Sequence, residues 1–144
     1  MKLQFELCRD NAQLPVKATT GSACFDIFAA NDEPLSVNYV TAPLIPTGLK
    51  PNIPEGYVLM IYSRSGHGFN YGIRLVNCVG VIDSDYHQEI MVKLSQDDPY
   101  GEELVINPGD RIAQAMLIPV LDYEVEQVAA VEQNDRGGFG STGV

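Results

Sequence analysis

The chain has 144 residues, of which 45% are hydrophobic and 19% are charged. This length and composition predict one domain with a sizeable core and exclude a largely disordered protein. The formal net charge is −10, which argues against a nucleic-acid-binding protein, because such a protein normally presents a basic surface. A small polyanionic ligand is compatible with this charge if arginines are concentrated at one site, and a divalent cation would help it to bind.

No apolar segment is long enough to cross a membrane, and the N-terminal residues lack the apolar core of a signal peptide. No membrane partner is therefore expected, and the expected location is the cytoplasm, or the host cytoplasm if the protein is viral. The three cysteines, Cys8, Cys24 and Cys78, are far apart in apolar surroundings, which predicts buried free thiols. His67 and His87 form no metal-ligand pair with a cysteine, so a zinc site is not expected.

The chain has no sustained helical period, and its apolar residues occur in short alternating or continuous segments. In chain order, the segments with this strand pattern are 3–7, 57–62, 90–94, 112–120 and 121–125. Frequent prolines and glycines between them exclude long helices and mark turns or edge strands. The pattern predicts an all-β sandwich or barrel with at most one short helix, around residues 68–71.

Two polar sites interrupt the first half of this pattern. Asp26 lies inside an apolar segment, where it is either a satisfied structural carboxylate or a group that organises an arginine or a metal-bound water. Further along, Arg64 offers charged forked donors, Ser65 a hydroxyl, and Gly66 close backbone approach, which together are typical of an anion site. The alternative is a polar loop that caps a short helix through Ser65.

The most informative segment is residues 80–86, where Asp83 follows an apolar strand and precedes a polar turn. A carboxylate fixed at a strand end can accept a proton from a water molecule and direct that water at phosphorus. The sequence Asp83-Ser84-Asp85 is also ordinary turn chemistry, so a tight hairpin is the alternative. Both interpretations can hold, because a tight hairpin keeps a catalytic group rigid.

Two later segments add further polar groups. A Pro-Gly turn leads to Arg111 and Gln114 at the start of a strand, within reach of phosphate or of a catalytic side chain, although a plain turn before a strand is the alternative. Residues 137–143 combine glycines and hydroxyls with Phe139, directly after Arg136. This composition predicts either a disordered terminus or a closing flap, in which the arginine binds phosphate and the phenylalanine stacks on a base.

In this order, the segments resemble the five motifs of the trimeric dUTPase family. The motifs correspond to residues 21–30, 63–66, 80–86 with Asn77 just before them, 109–114 and 137–143. The resemblance covers nearly the whole chain and implies a jelly-roll-like β fold and a homotrimer with sites at subunit interfaces. It implies a catalytic domain over residues 1–133, and a flexible Gly-rich arm over 134–144 that closes a neighbouring subunit's active site.

The resemblance also implies an activity, the hydrolysis of dUTP to dUMP and pyrophosphate, which lowers dUTP and supplies dUMP for thymidylate synthesis. Asp83 would activate the water that attacks the α-phosphorus, and Mg²⁺ would be held mainly by the substrate phosphates and water. Asp26 and Arg111 would orient other groups, and Asp26 is a candidate for contact with metal-bound water. The implied substrate-binding residues are Arg64, Ser65, Gly66, Asn77, Val81, Ile82, Asp83, Tyr86, Met91, Gln114, Arg136, Phe139, Ser141 and Thr142.

The implied contacts divide these residues by the part of the substrate they touch. Tyr86 would pack on the deoxyribose, and Phe139 would stack on uracil. The uracil pocket would be lined by Asn77, Val81, Ile82 and Met91. The phosphates would be contacted by Arg64, Ser65, Gly66 and Gln114, with Ser141 and Thr142 near the γ-phosphate.

Three positions depart from the family pattern. Ser63 replaces the usual proline, which predicts a slightly looser turn. Gln88 replaces a usual glycine, which would be strained if this position is left-handed. Arg136 stands directly before the Gly-Gly pair, whereas the family's arginine stands three residues before it, where this chain has Asn134.

Two other functions are alternatives to dUTP hydrolysis. The first is a dCTP deaminase-like enzyme of the same superfamily, which needs a glutamate to activate water at the base; Glu89 is the acidic residue of that type near the third motif. The second is a non-catalytic, nucleotide-sensing regulatory trimer. Turnover separates an enzyme from a sensor, and the product separates the two enzymes.

Overall fold

The computed structural model describes residues 1–131, in which eleven strands and one helix form. No helix in this part of the chain combines the length and apolar character needed to span a membrane. The strands are β1 (Gln4–Leu7), β2 (Phe25–Phe28), β3 (Leu35–Val37), β4 (Leu44–Pro46), β5 (Leu49–Asn52), β6 (Tyr57–Tyr62), β7 (Ile73–Leu75), β8 (Val79–Ile82), β9 (Met91–Gln96), β10 (Leu104–Ile106) and β11 (Arg111–Pro119). The helix is α1 (Ser65–Tyr71).

The strands pair antiparallel in small sheets, in an arrangement of jelly-roll type. The largest sheet has the order β2-β11-β6-β8, and a second has the order β4-β9-β7. Two further pairs, β1-β5 and β10-β3, complete the pairing of the eleven strands over residues 1–131. The all-β prediction with at most one short helix is therefore confirmed.

The core lies between the apolar faces of these sheets. In β9, Val92 and Leu94 are buried and alternate with exposed Met91 and Lys93, as the period of two in the sequence predicts. The largest side chains that are fully buried are aliphatic, and burying each contributes about 1.5–3 kcal/mol. They include Ile27, Ile45, Leu49, Leu59, Ile73, Ile90, Leu94, Ile106 and Ile112.

The predicted strand over residues 121–125 is wrong. The last strand in residues 1–131 ends at Pro119, and Leu121, Tyr123 and Val125 are 87%, 78% and 90% exposed. The segment follows β11, whose two neighbours in the sheet are β2 and β6, and it pairs with no strand in the described part of the chain. Alternation of apolar residues does not indicate whether a neighbouring strand is available for pairing, which is why the prediction failed here.

The helix prediction is confirmed in type and extended in length. Helix α1 begins three residues earlier than expected, at Ser65, and ends where Gly72 takes the left-handed conformation with φ of 62°. Gly72 donates its backbone N–H to the carbonyl of Gly68 at 3.0 Å. The glycine is therefore a C-cap, which is the residue type best suited to a positive φ.

The cysteines are free within the described residues, but the prediction that all three are buried is wrong. Cys8 and Cys24 are half-buried, and Cys78 is exposed. Burial raises the pKa of the Cys24 thiol. Cys78 lies in the turn between β7 and β8, where φ is 62°, so its position follows from the turn and not from the apolar residues beside it.

Candidate active site

The junction of β6 and α1 places the first group of predicted site residues. Ser63 leaves β6, and its hydroxyl accepts a hydrogen bond from the backbone N–H of Leu75 at 2.9 Å. Its carbonyl accepts one from Nε2 of Gln114 at 2.8 Å. These two bonds, one to the side chain of Ser63 and one to its backbone, tie the junction to β7 and β11.

Helix α1 begins without a side-chain cap. Arg64 is the N-cap residue, with φ of −84° and ψ of 134°, and no side chain bonds to the free N–H groups of the first turn. The alternative prediction that Ser65 caps the helix is therefore wrong, because Ser65 is itself the first helical residue. Ser65 and Gly66 are exposed and remain accessible to a ligand.

The carboxylate of Asp26 lies between two arginines. Oδ1 is 3.4 Å from Nε of Arg64, and Oδ2 is 3.4 Å from Nη1 of Arg111. The Asp26 side chain is only 18% exposed, so its charge needs such partners. Of the two interpretations that the sequence left open for Asp26, this geometry matches the one in which it organises arginines.

An irregularity in β11 brings Arg111 to this carboxylate. Arg111 lies opposite Phe28 and Ala113 lies opposite Ile27, so the register shifts between these two pairs. Ile112, which occupies the shift, is fully buried. A bulge of this kind redirects side chains at the edge of a sheet, and here it leaves the guanidinium of Arg111 beside β2.

Two open depressions meet at Gln114. The first, of about 320 Å³, is lined by Ser63, Arg64, Ser65, Gly68, Phe69 and Gln114. The second, of about 280 Å³, is lined by Ala18, Ser22, Ala23, Cys24, Phe25, Asp26 and Gln114. We refer to the two together as the arginine groove. It brings together the predicted phosphate contacts Arg64, Ser65 and Gln114 with the predicted orienting residue Asp26.

The four residues predicted to line a uracil pocket lie around one smaller cavity. This cavity has a volume of about 100 Å³ and lies between β8 and β9, and we call it the base cavity. The residues that line it are Ile61, Leu75, Asn77, Gly80, Val81, Ile82, Met91, Val92 and Lys93.

The base cavity exists because β8 and β9 do not pair with each other. Strand β8 pairs with β6, and β9 pairs with β4 and β7. The predicted tight hairpin is therefore wrong, since the two strands belong to different sheets. Strand β8 is the last strand of its sheet, which leaves the backbone groups of its outer edge available to a ligand.

The turn after β8 carries the predicted catalytic residue. Asp83 directly follows β8 and is exposed, and its carbonyl accepts the backbone N–H of Tyr86 at 3.2 Å. The hydroxyl of Tyr86 donates to the carbonyl of Glu89 at 2.9 Å. In residues 1–131 the single non-glycine residue with a positive φ is Cys78, so the expected left-handed strain at Gln88 is absent.

Glu89, a residue that sequence reasoning considered only for deamination, anchors the end of this turn. Its carboxylate accepts hydrogen bonds from Nε and Nη2 of Arg9 at 2.6 and 3.1 Å and from the backbone N–H of Gly48 at 2.8 Å. The hydrogen bonds from Arg9 hold the pKa of the Glu89 carboxyl below its usual range. Arg9 lies 80 residues away in sequence, and no local motif marks such a pairing.

The arginine groove and the Asp83 turn lie at opposite ends of β6. Ile82, next to Asp83, is opposite Leu59, whereas Ser63 directly follows the other end of the strand. Four residues of strand, at about 3.3 Å each, separate these positions by roughly 13 Å. One chain therefore holds the two groups of predicted site residues apart.

The sequence and the fold agree with one known family. The family model described as dUTPase matches residues 10–143. The chain belongs to the dUTPase family. It is 43% identical to deoxyuridine 5'-triphosphate nucleotidohydrolase of Ralstonia pickettii, with 99% of each chain covered, and 41% identical to that of Finegoldia magna, with 94% of each covered. Family members of this name are dUTP diphosphatases.

Solved dUTPase structures also match the fold. A Staphylococcus bacteriophage 80alpha dUTPase with dUPNHPP gives a TM-score of 0.83 at 29% identity over 99% of both chains. A variant dUTPase from phage phi11 of S. aureus, described for the coordination of a structural Mg(II) ion, gives 0.78 at 25% identity over 90% of this chain and 98% of that one. The jelly-roll-like dUTPase fold predicted from the sequence is therefore confirmed.

The family resemblance also implies a Mg²⁺ ion and a C-terminal arm in this dUTPase family member. Within residues 1–131, no group of three or more His, Cys, Asp and Glu side chains is placed to hold a metal ion. The predicted arm over 134–144 lies outside the described residues. So do the four substrate contacts predicted in it, which are Arg136, Phe139, Ser141 and Thr142.

Proposed function

We propose that this protein hydrolyses dUTP to dUMP and pyrophosphate in sites shared between the subunits of a homotrimer. The observation that carries the proposal is the separation of the Asp83 turn from the arginine groove along β6 in a single chain. The Asp83 turn carries the proposed general base and sugar contact, whereas the arginine groove carries the proposed phosphate contacts. A neighbouring subunit that places its Asp83 turn against this subunit's Arg64 would complete the site.

The base cavity supports selection of uracil. Its walls combine apolar side chains with Asn77, Lys93 and the unpaired backbone edge of β8. Backbone groups present a fixed pattern of donors and acceptors. Cytosine has the donor and acceptor positions of uracil exchanged at one edge of the ring. Its binding would therefore leave buried polar groups of the cavity unpaired. A volume of about 100 Å³ leaves little room for the methyl group of thymine.

Tyr86 supports selection of deoxyribose. Its hydroxyl is held by the Glu89 carbonyl, which restricts the ring, and the side chain is 37% exposed. A ring packed against the sugar at C2′ would clash with a 2′-hydroxyl or leave it without a partner. UTP would therefore bind more weakly than dUTP.

The chemistry requires a base and compensation of negative charge. The carboxylate of Asp83 would take a proton from water as the water oxygen bonds to the α-phosphorus and the bond to the leaving pyrophosphate breaks. Arg64, oriented by Asp26, would balance charge on the phosphate chain together with the donors of Ser65 and Gln114. The backbone N–H of Gly66 would add a further donor.

Mg²⁺ fits this site only as an ion held by the substrate. Both carboxylate oxygens of Asp26 face arginines, so contact with a metal-bound water would compete with these ion pairs. Phosphate oxygens and water are the ligands that Mg²⁺ prefers. When bound, the ion would neutralise phosphate charge, and no protein residue in 1–131 needs to be its direct ligand.

We further propose that residues 134–144 form an arm that closes the site of a neighbouring subunit. Phe139 would stack on uracil, Arg136 would reach the phosphates, and Ser141 and Thr142 would lie near the γ-phosphate. The sequence supports this proposal by combining these groups with flexible glycines. Closure would exclude water other than the nucleophile.

Activity is tested by pyrophosphate release from dUTP, dCTP, dTTP and UTP with Mg²⁺, for the wild type and an Asp83→Asn variant. We expect selective turnover of dUTP that the variant loses. Release of ammonia from dCTP would support the deaminase, but Glu89 is already bound by Arg9 and Gly48 and is poorly placed for that role. Binding of dUTP without turnover would support a nucleotide sensor.

The shared site is tested by mixing two inactive variants. Asp83→Asn and Arg64→Gln trimers are each expected to be inactive. After dissociation and random reassembly in equal amounts, about one quarter of the sites should contain both native residues if they come from adjacent subunits. No recovery of activity in mixed trimers, or a fully active monomer by sedimentation, would overturn the shared-site proposal.

A further inference from the structure

The segment that ends the Asp83 turn is tied to two distant parts of the chain. Ile90 donates its backbone N–H to the carbonyl of Leu49 at 2.8 Å and accepts a hydrogen bond from the hydroxyl of Thr47 at 2.7 Å. Glu89 accepts the backbone N–H of Gly48 through its carboxylate at 2.8 Å. The end of the turn is thus fixed along residues 47–49.

The N-terminal segment is fixed to the same place. Gly48 accepts the backbone N–H of Cys8 at 2.8 Å, and its φ is 68°. A Cβ atom at this position would lie 2.3 Å from Cβ of Ala12, so only glycine allows this close approach. From this segment Arg9 makes its two hydrogen bonds to the Glu89 carboxylate.

These contacts form a continuous path from Arg9 to the aromatic ring that faces the proposed sugar site. Arg9 holds the Glu89 carboxylate, and the Glu89 carbonyl holds the Tyr86 hydroxyl. A bidentate pair between an arginine and a carboxylate fixes direction as well as distance. Movement of Glu89 would therefore release the acceptor that restricts Tyr86.

We propose that Arg9 and Glu89 are positioning residues for Tyr86, and that through it they set the preference for deoxyribose over ribose. This inference rests on the proposed function, because it assigns a second layer of residues to the same site. Neither residue needs to touch the nucleotide. Their effect is to keep the Tyr86 ring where a 2′-hydroxyl would have to be.

The first test compares Arg9→Gln and Glu89→Gln with the wild type in kcat/KM for dUTP and for UTP. We expect the ratio of the two values to fall roughly tenfold, mainly through improved use of UTP, with a smaller change in kcat for dUTP. Arg9→Lys, which keeps the charge but loses the fork, should fall in between. A ratio equal to that of the wild type in both glutamine variants would overturn the proposal.

The matched control is Lys50→Gln. Lys50 pairs with Glu6 at 3.1 Å on the neighbouring strands β5 and β1. Its charge acts on the Glu89 carboxylate, but Lys50 makes no hydrogen bond to Arg9, Glu89 or Tyr86. The control removes a lysine charge near Glu89 but none of the hydrogen bonds of the path described above, so its selectivity should equal that of the wild type. Loss of selectivity in the control as well would mean that the effect is a general loss of charge or stability.

A double-mutant cycle separates positioning from structural support. Tyr86→Phe removes the hydroxyl that reaches the Glu89 carbonyl. We expect this single variant to lower the ratio of kcat/KM for dUTP to kcat/KM for UTP. In the double variant with Arg9→Gln the two losses should be strongly non-additive, because both act through the same path. Additive losses would show that Arg9 acts elsewhere and would overturn the proposal.

A measurement that needs no turnover distinguishes failure of this inference from failure of the proposed function. The NMR signals of the Tyr86 ring, assigned with Tyr86→Phe, should shift and broaden in Arg9→Gln and stay unchanged in Lys50→Gln. If the wild type does not hydrolyse dUTP but the Tyr86 signals change as expected in the variants, the proposed function is wrong and the link from Arg9 to Tyr86 still holds. Unchanged Tyr86 signals in Arg9→Gln would overturn the link whatever the activity.

Discussion

The two halves of the proposed site are held in different ways. The Asp83 turn is anchored by short contacts, such as the 2.6 Å bond from Arg9 to Glu89 and the 2.8 Å bond from Gly48. The charged side chains of the arginine groove make longer contacts, since both ion pairs of Asp26 measure 3.4 Å. Base and sugar selection require a fixed shape, whereas the groove's charges can tighten around an anion.

This difference indicates which half of the proposed site one subunit can form by itself and which half depends on a neighbouring subunit. The base cavity is formed by one chain, so its selectivity is a property of the subunit. The arginine groove is open and leaves Ser65 and Gly66 exposed, so its full strength depends on the substrate and on a neighbouring subunit. Variants in the groove should therefore act on phosphate binding and turnover, and variants around the turn, other than those of Asp83 itself, should act on selectivity and stability.

After the loss of turnover expected for Asp83→Asn and Arg64→Gln, the largest effect is expected for Asp26→Asn. Loss of this carboxylate leaves Arg64 and Arg111 without their common partner, so the guanidinium that would meet the phosphates is no longer oriented. We expect kcat/KM for dUTP to fall by about two orders of magnitude. Binding of deoxyuridine, which has no phosphate, should not change; a parallel loss of deoxyuridine binding would contradict the separation of the two halves.

Gly80→Ala should damage the other half. A Cβ atom at Gly80 would lie 3.0 Å from Cβ of Ile61, so β8 would have to move away from β6. We expect a loss of stability of about 1–3 kcal/mol, measured by denaturant unfolding, with a weaker affinity for deoxyuridine. Unchanged deoxyuridine affinity would show that the position of β8 does not shape the base cavity.

Sequence reasoning reached much of this arrangement. The strands over 57–62 and 112–120 have apolar patterns strong enough to locate β6 and β11 almost to the residue. The residues around the base cavity were also grouped correctly, although that grouping came from the family resemblance and not from periodicity. Local pattern and motif order are sufficient for these elements because each is encoded in contiguous residues.

What the sequence could not supply depends on partners distant in the chain. The turn chemistry of Asp83-Ser84-Asp85 is the same whether the flanking strands pair or separate, so the hairpin prediction failed. The pairing of Arg9 with Glu89 joins residues 80 positions apart and has no local signature. The alternation over residues 121–125 likewise carries no information on whether a pairing strand is present.

A smaller effect is expected on acid stability through Glu89. Its pKa is lowered in the folded protein, so its stabilisation is complete above its ordinary pKa near 4.5 and is lost as the pH falls towards the folded value. Arg9→Gln should cost about 1–2 kcal/mol at neutral pH. Unfolding free energies measured from pH 3 to 7 should converge for the two proteins at the acid end; a constant difference would contradict this account.

The smallest effect is expected from His67, which contacts Arg64 of the arginine groove. Its Nε2 is 3.4 Å from Nη1 of Arg64, and because arginine only donates, neutral His67 must accept there. Burial and the charge of Arg64 lower the pKa of His67, while Asp110 opposes the shift. Between this lowered value and the ordinary value near 6.5, the unfolded chain binds more protons than the folded one, so stability should decrease as the pH falls through that window.

His67→Gln tests this expectation because glutamine retains an acceptor and does not titrate. Its stability should depend less on pH than that of the wild type just below pH 6.5, and the two proteins should be similar at higher pH. The same slope in both would mean that protonation of His67 does not oppose the Arg64 cluster. Since a displaced Arg64 should weaken the groove and not the base cavity, the affinity for deoxyuridine should remain constant over this range in both proteins.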